Sequence, residues 1–130
     1  MKKFSSILLS FLFIFTIFTS SASAATTGSV TSTRADNSAK SIQITGSGKY
    51  MKLTVTYSGS LGPDGNYGGD AILYKVIGTN QVQTIANIDV TPNNRTQSTD
   101  VWLDLNATYI LQVDVNILAA SNASVTGSIR

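Results

Sequence analysis

The sequence predicts an all-β chain: a single antiparallel β-sandwich, Greek-key or jelly-roll-like, with about seven or eight strands after a cleaved signal peptide. Three observations carry this. Apolar residues recur at every second position through most of the segment from Ile42 to Ile129, the period of a strand with one buried face. Clusters of Gly, Asn, Pro and Ser punctuate those runs at short intervals. No window sustains a 3.6-residue period, and β-branched residues dominate.

In chain order, residues 1–24 read as the signal peptide. Lys2 and Lys3 form a basic n-region, Ile7 to Phe18 is an apolar run of about a dozen residues, and Ala22-Ser23-Ala24 is an Ala-x-Ala cleavage site. The apolar run falls short of the roughly 20 residues that cross a bilayer. No cysteine follows it to carry a lipid, and Ser128-Ile129-Arg130 adds no second apolar segment, so the expected location is secreted and extracellular.

Residues 25–40 form a polar N-terminal segment. The stretch from Thr26 to Lys40 reads first as a flexible linker, with an edge strand or a strand donated to a neighbour as alternatives. The sandwich is expected over residues 41–130. Ile42 and Ile44 mark a first strand. Met51, Leu53, Val55 and Tyr57 then face one way, with Lys52, Thr54 and Thr56 facing the other. Ser58 to Asp70 is a long Gly-rich loop, a length that in a compact domain suggests function or mobility. Strands follow at Ile72–Ile77, Gln81–Val90, Asp100–Leu105, Tyr109–Leu118 and Val125–Ile129. Val101, Leu103 and Leu105 are expected on the core face, which puts Trp102 on the other. The turns between them are Gly78-Thr79-Asn80, Pro92-Asn93-Asn94, Asn106-Ala107 and Ser121-Asn122. Three Asn-x-Ser/Thr matches, at Asn94, Asn106 and Asn122, read as ordinary turn residues.

Composition narrows the chemistry. The formal charge of the whole chain is +2, but Lys2 and Lys3 supply that excess. The lysines and arginines that remain balance the seven aspartates (Asp36, Asp64, Asp70, Asp89, Asp100, Asp104, Asp114). Neutral balance without a basic cluster argues against nucleic acid and against an anionic membrane as partner. Cysteine, histidine and glutamate are absent, so no disulfide staples the core and the usual acids, bases and nucleophiles of enzymes are missing. Asp100, Asp104 and Asp114 fall on polar strand positions and read as solvated charge. A non-enzymatic role is expected.

Two stretches carry a family resemblance. Asp70-Ala71-Ile72-Leu73-Tyr74 and, about 35 residues on, Leu105-Asn106-Ala107-Thr108-Tyr109-Ile110-Leu111-Gln112-Val113 together resemble the bacterial pre-peptidase C-terminal domains, β-sandwich modules of secreted enzymes. The likeness spans roughly Ile42 to Val115. It departs from the family where Ala107 stands in place of the turn glycine and in having no accompanying protease domain, which puts an accessory role in doubt. The resemblance implies a sandwich, and Tyr109 in a corner-forming position just after a turn.

Candidate sites are sparse. Asp64, Asn66 and Asp70 in the Gly-rich loop offer oxygen ligands for a hard cation such as calcium, without an EF-hand spacing; the competing reading is a turn that satisfies its own backbone. No other cofactor is indicated. Trp102, Gln112 and Tyr67 are the candidate binding residues. Trp102 would stack on a sugar or anchor a protein, unless a loop or the N-terminal segment covers it. The expected role is an extracellular or cell-wall binding and adhesion module whose partner is cell-wall polysaccharide or a secreted protein. The alternatives are a fibre or matrix subunit assembling by strand addition, and a small inhibitor or accessory of a secreted hydrolase.

Overall fold

The computed structural model describes residues 25–130; the expected signal peptide and its expected cleavage site lie outside the described residues. Eight strands build two antiparallel sheets: β1 (Gly28–Thr33), β2 (Lys40–Thr45), β3 (Lys49–Ser58), β4 (Gly69–Gly78), β5 (Gln81–Val90), β6 (Thr96–Leu103), β7 (Thr108–Val115) and β8 (Ser124–Ile129). One sheet has the order β1-β8-β3-β6 and the other β2-β7-β4-β5. The chain therefore changes sheet at every connection but one, the β4–β5 hairpin. Asn80 in that turn takes a positive φ of 57°, which asparagine tolerates better than most residues.

The alternation of β3 is realised without exception: Met51, Leu53, Val55 and Tyr57 are buried, and the residues between them face outward. They meet Ile44, Leu73, Tyr109, Leu111, Val113, Val125 and Ile129 in one core between the sheets. At roughly 25 cal/mol per Å2 of apolar surface, this shared burial drives the fold in the absence of a disulfide. Gly127 lets the layers approach, since a Cβ there would sit 2.8 Å from Val113 Cγ1.

The structure departs from the sequence expectations in three places. The polar segment read first as a linker contains β1, which pairs with β8 from Gly28↔Ile129 to Thr33↔Ser124; the edge-strand alternative describes it, and the sandwich begins before residue 41. Its inward residues include Val30 and the fully buried Ser32, whose hydroxyl donates to Ser38 O. Backbone pairing and one hydrogen-bonded hydroxyl thus hold a strand whose apolar signal is a single valine.

Asn106-Ala107 is not a hairpin turn. Strand β6 stops at Leu103, Asn106 turns the chain at a φ of 64°, and β7 starts in the opposite sheet. Leu105 consequently lies outside the strand and is 67% exposed, although alternation assigned it to the core. The strand expected through Leu118 likewise ends at Val115, which leaves Ile117 exposed.

The crossover after β6 is tied down at a corner. Tyr109 is buried and its Oη accepts a hydrogen bond from Asp104 N at 2.8 Å, spanning the turn as the corner reading required. The β2–β3 turn packs against it: Gly46 N donates to Ala107 O and Asn106 N to Gly46 O. A Cβ on Gly46 would lie 1.9 Å from Asp104 O, so only glycine fits there.

Candidate binding faces

Each sheet buries one face and presents the other, and the two outer faces differ in kind. On the β1-β8-β3-β6 sheet, cross-strand register lines up hydroxyl side chains in rows. Thr31, Thr126, Thr56 and Thr96 stand in one row across all four strands, with Ser29, Ser128, Thr54 and Ser98 in the next. Thr33, Ser124 and Ser58 make a shorter third row. Thr31 and Thr126 bond through their hydroxyls at 2.7 Å. β-branched threonine suits an exposed strand face, which accounts for the local preference but not for the registry.

Beyond these rows charge appears, then aromatic surface. Lys52 pairs with Asp100 at 3.3 Å, with Arg130 on the other side of Lys52 through reciprocal backbone bonds. Next, Tyr50 stands opposite Trp102. The two rings meet edge to face, with centroids 5.2 Å apart and planes at 73°. Tyr50 is 70% exposed and Trp102 48%, so the open fate for Trp102 is the one realised. Its cross-strand partner is Tyr50, and Gln112 lies elsewhere because β6 and β7 belong to different sheets.

The indole is held in place. Trp102 Nε1 donates to Asp104 Oδ1 at 2.9 Å, while Lys75 from the other sheet donates to Oδ2 of the same carboxylate. The hydrogen bond from Lys75, followed by that from Trp102, lowers the Asp104 pKa below the usual carboxylate range, and the bond to Asp104 raises that of Lys75. Asp104 therefore stays ionised and fixes the ring orientation before anything binds.

The outer face of the β2-β7-β4-β5 sheet holds Gln112, cross-strand to Ser41 and Ile72 and far from Trp102 in topology. At one end Asp114, Asp70 and Asp89 stand side by side on β7, β4 and β5. Burial, then repulsion from Asp89 and Asp114, raises the pKa of Asp70. These aspartates line a cleft of about 400 Å3 together with Asn66 and Tyr67.

Of the proposed cation ligands, Asn66 and Asp70 reach this cleft, but Asp64 lines a separate recess with Arg34 and Pro63. Asn66 Oδ1 already accepts a bond from Asn93 N, which pins the Gly-rich loop to the turn after β5. The three residues do not converge, because the loop reverses between Gly62 and Gly65 and points Asp64 away. Among the described residues, no group of three His, Cys, Asp or Glu side chains has metal-binding geometry. Tyr67 shares the acidic cleft and not the Trp102 face, so the three candidate binding residues fall into three places. Tyr50 is a further aromatic candidate whose direction the sequence leaves open, and only the β3–β6 register gives Trp102 as its neighbour.

No protein-family model and no curated protein matches the chain. Among solved structures, it is similar to the periplasmic g-type lysozyme inhibitor PliG of Aeromonas hydrophila (14% identity, 82% of this chain and 88% of that one, TM-score 0.45). It is also similar to the Yersinia pseudotuberculosis-derived mitogen (15%, 79% and 80%, 0.41) and to PliG of Salmonella Typhimurium (14%, 85% and 93%, 0.41). At these scores the likeness carries no argument about function. Among the described residues, no helix is long and apolar enough to cross a membrane.

Proposed function

We propose that the chain is a secreted, non-catalytic binding module of the extracellular space or cell wall, and that it binds through the outer face of the β1-β8-β3-β6 sheet. The observation that carries this reading is the exposed Tyr50–Trp102 pair. The parts of these two rings that stay in solvent contribute little to folding, since that apolar area is not removed from water. They offer a partner stacking area, and the Asp104–Trp102 hydrogen bond reduces the ordering cost of using it. The paired charges of Lys52 and Asp100 supply an adjacent polar rim.

Secretion rests on the n-region, apolar run and Ala-x-Ala site; an intact mass for the exported protein that begins within two residues of Ala25 is the expected outcome. The resemblance to pre-peptidase C-terminal domains is kept as part of this proposal, supported by its two motif strands, β4 and β7, being hydrogen-bonded neighbours. Strand addition has less support, because the segment it would donate is paired to the chain's own β8.

A pull-down against cell-wall material and culture supernatant tests the proposal. Trp102→Ala should lower capture of the recovered partner at least tenfold. Stability should fall by about 1 kcal/mol, well below the roughly 3 to 5 kcal/mol of a buried aromatic truncation. Undiminished capture by a folded Trp102→Ala variant refutes the assigned face. Recovery of one secreted hydrolase that the protein inhibits would instead make the module an inhibitor.

A further inference from the structure

Resting on that reading of the β1-β8-β3-β6 face, we infer that its partner is a neutral polysaccharide presenting a flat hydroxylated surface, and that the threonine row is part of the contact. Within the rows, neighbouring strands space the hydroxyls at roughly 4.8 Å, and rows repeat at about 6.8 Å along the strands, two residues on. The threonine row and the serine-rich row beside it carry eight hydroxyl side chains and no charge. Every hydroxyl both donates and accepts, which matches a surface whose own groups do the same.

Charge selects among partners. A polyanion or polycation gains nothing from the two central rows, because no ionic group stands there to meet it. The charges on this face lie in the Arg130–Lys52–Asp100 row, where Lys52 and Asp100 pair with each other, and at Asp104 beside Trp102, which is paired with Lys75. A protein partner fits poorly as well, since serine is depleted in the cores of protein interfaces. Ordered water would fit the hydroxyl rows but not Tyr50 and Trp102. With their planes at 73°, one of the two rings at a time can lie flat on the C–H face of a pyranose while the other flanks it, and the pair continues the same surface one row past the charges. A neutral sugar polymer uses both parts together.

The test is retention of the mature protein on microcrystalline cellulose and on chitin, with chitosan and pectate as charged counterparts. Retention on a neutral polymer should persist from about 0.1 to about 1 M sodium chloride, over which the screening length falls from about 10 to about 3 Å. Thr56→Lys places a charge in the middle of the threonine row at an exposed position; it should stay folded by circular dichroism and lose at least tenfold in retention. Asn87→Lys makes the same change on the other sheet and should bind like the parent.

Failure of the parent to bind either neutral polymer overturns the inference, as does salt-sensitive binding to chitosan or pectate alone. Retention unchanged by Thr56→Lys but lost in Trp102→Ala also overturns it, while leaving the aromatic face as the binding site. Inhibition of ice growth without polysaccharide retention would assign the rows to water. A dimer in sedimentation that Thr56→Lys dissociates, again without retention, would assign them to a second copy of the chain.

Discussion

The two outer faces of this sandwich arise from the same period-two pattern, yet one is largely neutral and the other carries a row of acids. One presents rows of neutral hydroxyls ending in Tyr50 and Trp102; the other ends in the Asp114–Asp70–Asp89 row. A hydroxyl on an exposed strand costs little, because it exchanges water partners freely. Three carboxylates abreast do cost, because like charges directly across strands repel and half-buried Asp70 is desolvated as well. The hydroxyl face can be wide without strain, whereas the acidic row stores a small destabilisation that its own protonation releases.

Breaking the structure beneath both faces should have the largest effect. Tyr109 connects the sheets at the corner where Asp104 holds Trp102 and Lys75. Tyr109→Ala should cost roughly 3 kcal/mol or more in denaturant unfolding, as other buried aromatic truncations do. Tyr109→Phe removes only the hydrogen bond to Asp104 N and should cost about 1 kcal/mol. It should also loosen Trp102, readable as a change in indole fluorescence. Equal and negligible losses in both variants would mean that the corner does not hold the crossover.

A smaller effect, of opposite sign, separates the faces. The pKa of Asp70 is higher in the folded chain than in the unfolded one, so the folded state holds that proton more tightly. Its stabilising contribution is complete below the ordinary carboxylate pKa and is lost as pH rises through the raised folded value. Above that raised value Asp70 is ionised against its neighbours, and Asp70→Asn should there stabilise the protein. With solvent screening, the gain should be about 0.5 kcal/mol, within the range for cross-strand charge pairs. The gain should shrink in high salt and disappear in acid below the usual carboxylate range. A destabilised Asp70→Asn variant above that value would mean that the row is held by something that attracts it.

The smallest expected change lies on the hydroxyl face. Thr56→Val keeps the branched side chain and removes one exposed hydroxyl, so stability should move by less than about 0.5 kcal/mol. A larger loss would show that the rows support the sheet through hydrogen bonds among themselves, as Thr31 and Thr126 do.

Much of the fold was legible residue by residue. The buried set on β3, the β4–β5 turn at Asn80 and the exposure of Trp102 all follow from alternation and turn chemistry. Strand β1 was harder to read, because Gly28–Thr33 has one apolar residue and takes its stability from pairing with β8. Leu105 was misplaced for a related reason: alternation continues on paper past the residue where the backbone turns to change sheets.

The candidate sites divide along the same line. Alternation determined which face each side chain takes, because that depends only on the two-residue period of a strand. It put Trp102 outward together with Thr54 and Thr56 of β3, whereas Thr96 and Ser98 lay outside the expected strand, which began only at Asp100. Which strands lie side by side was decided only in the tertiary structure. Sheet order places Tyr50 beside Trp102, separates both from Gln112 and Tyr67, and assembles the threonine row from residues 31, 56, 96 and 126. The physical reason is that strand order and register depend on long-range core packing and on the crossovers between sheets, and no local pattern encodes either.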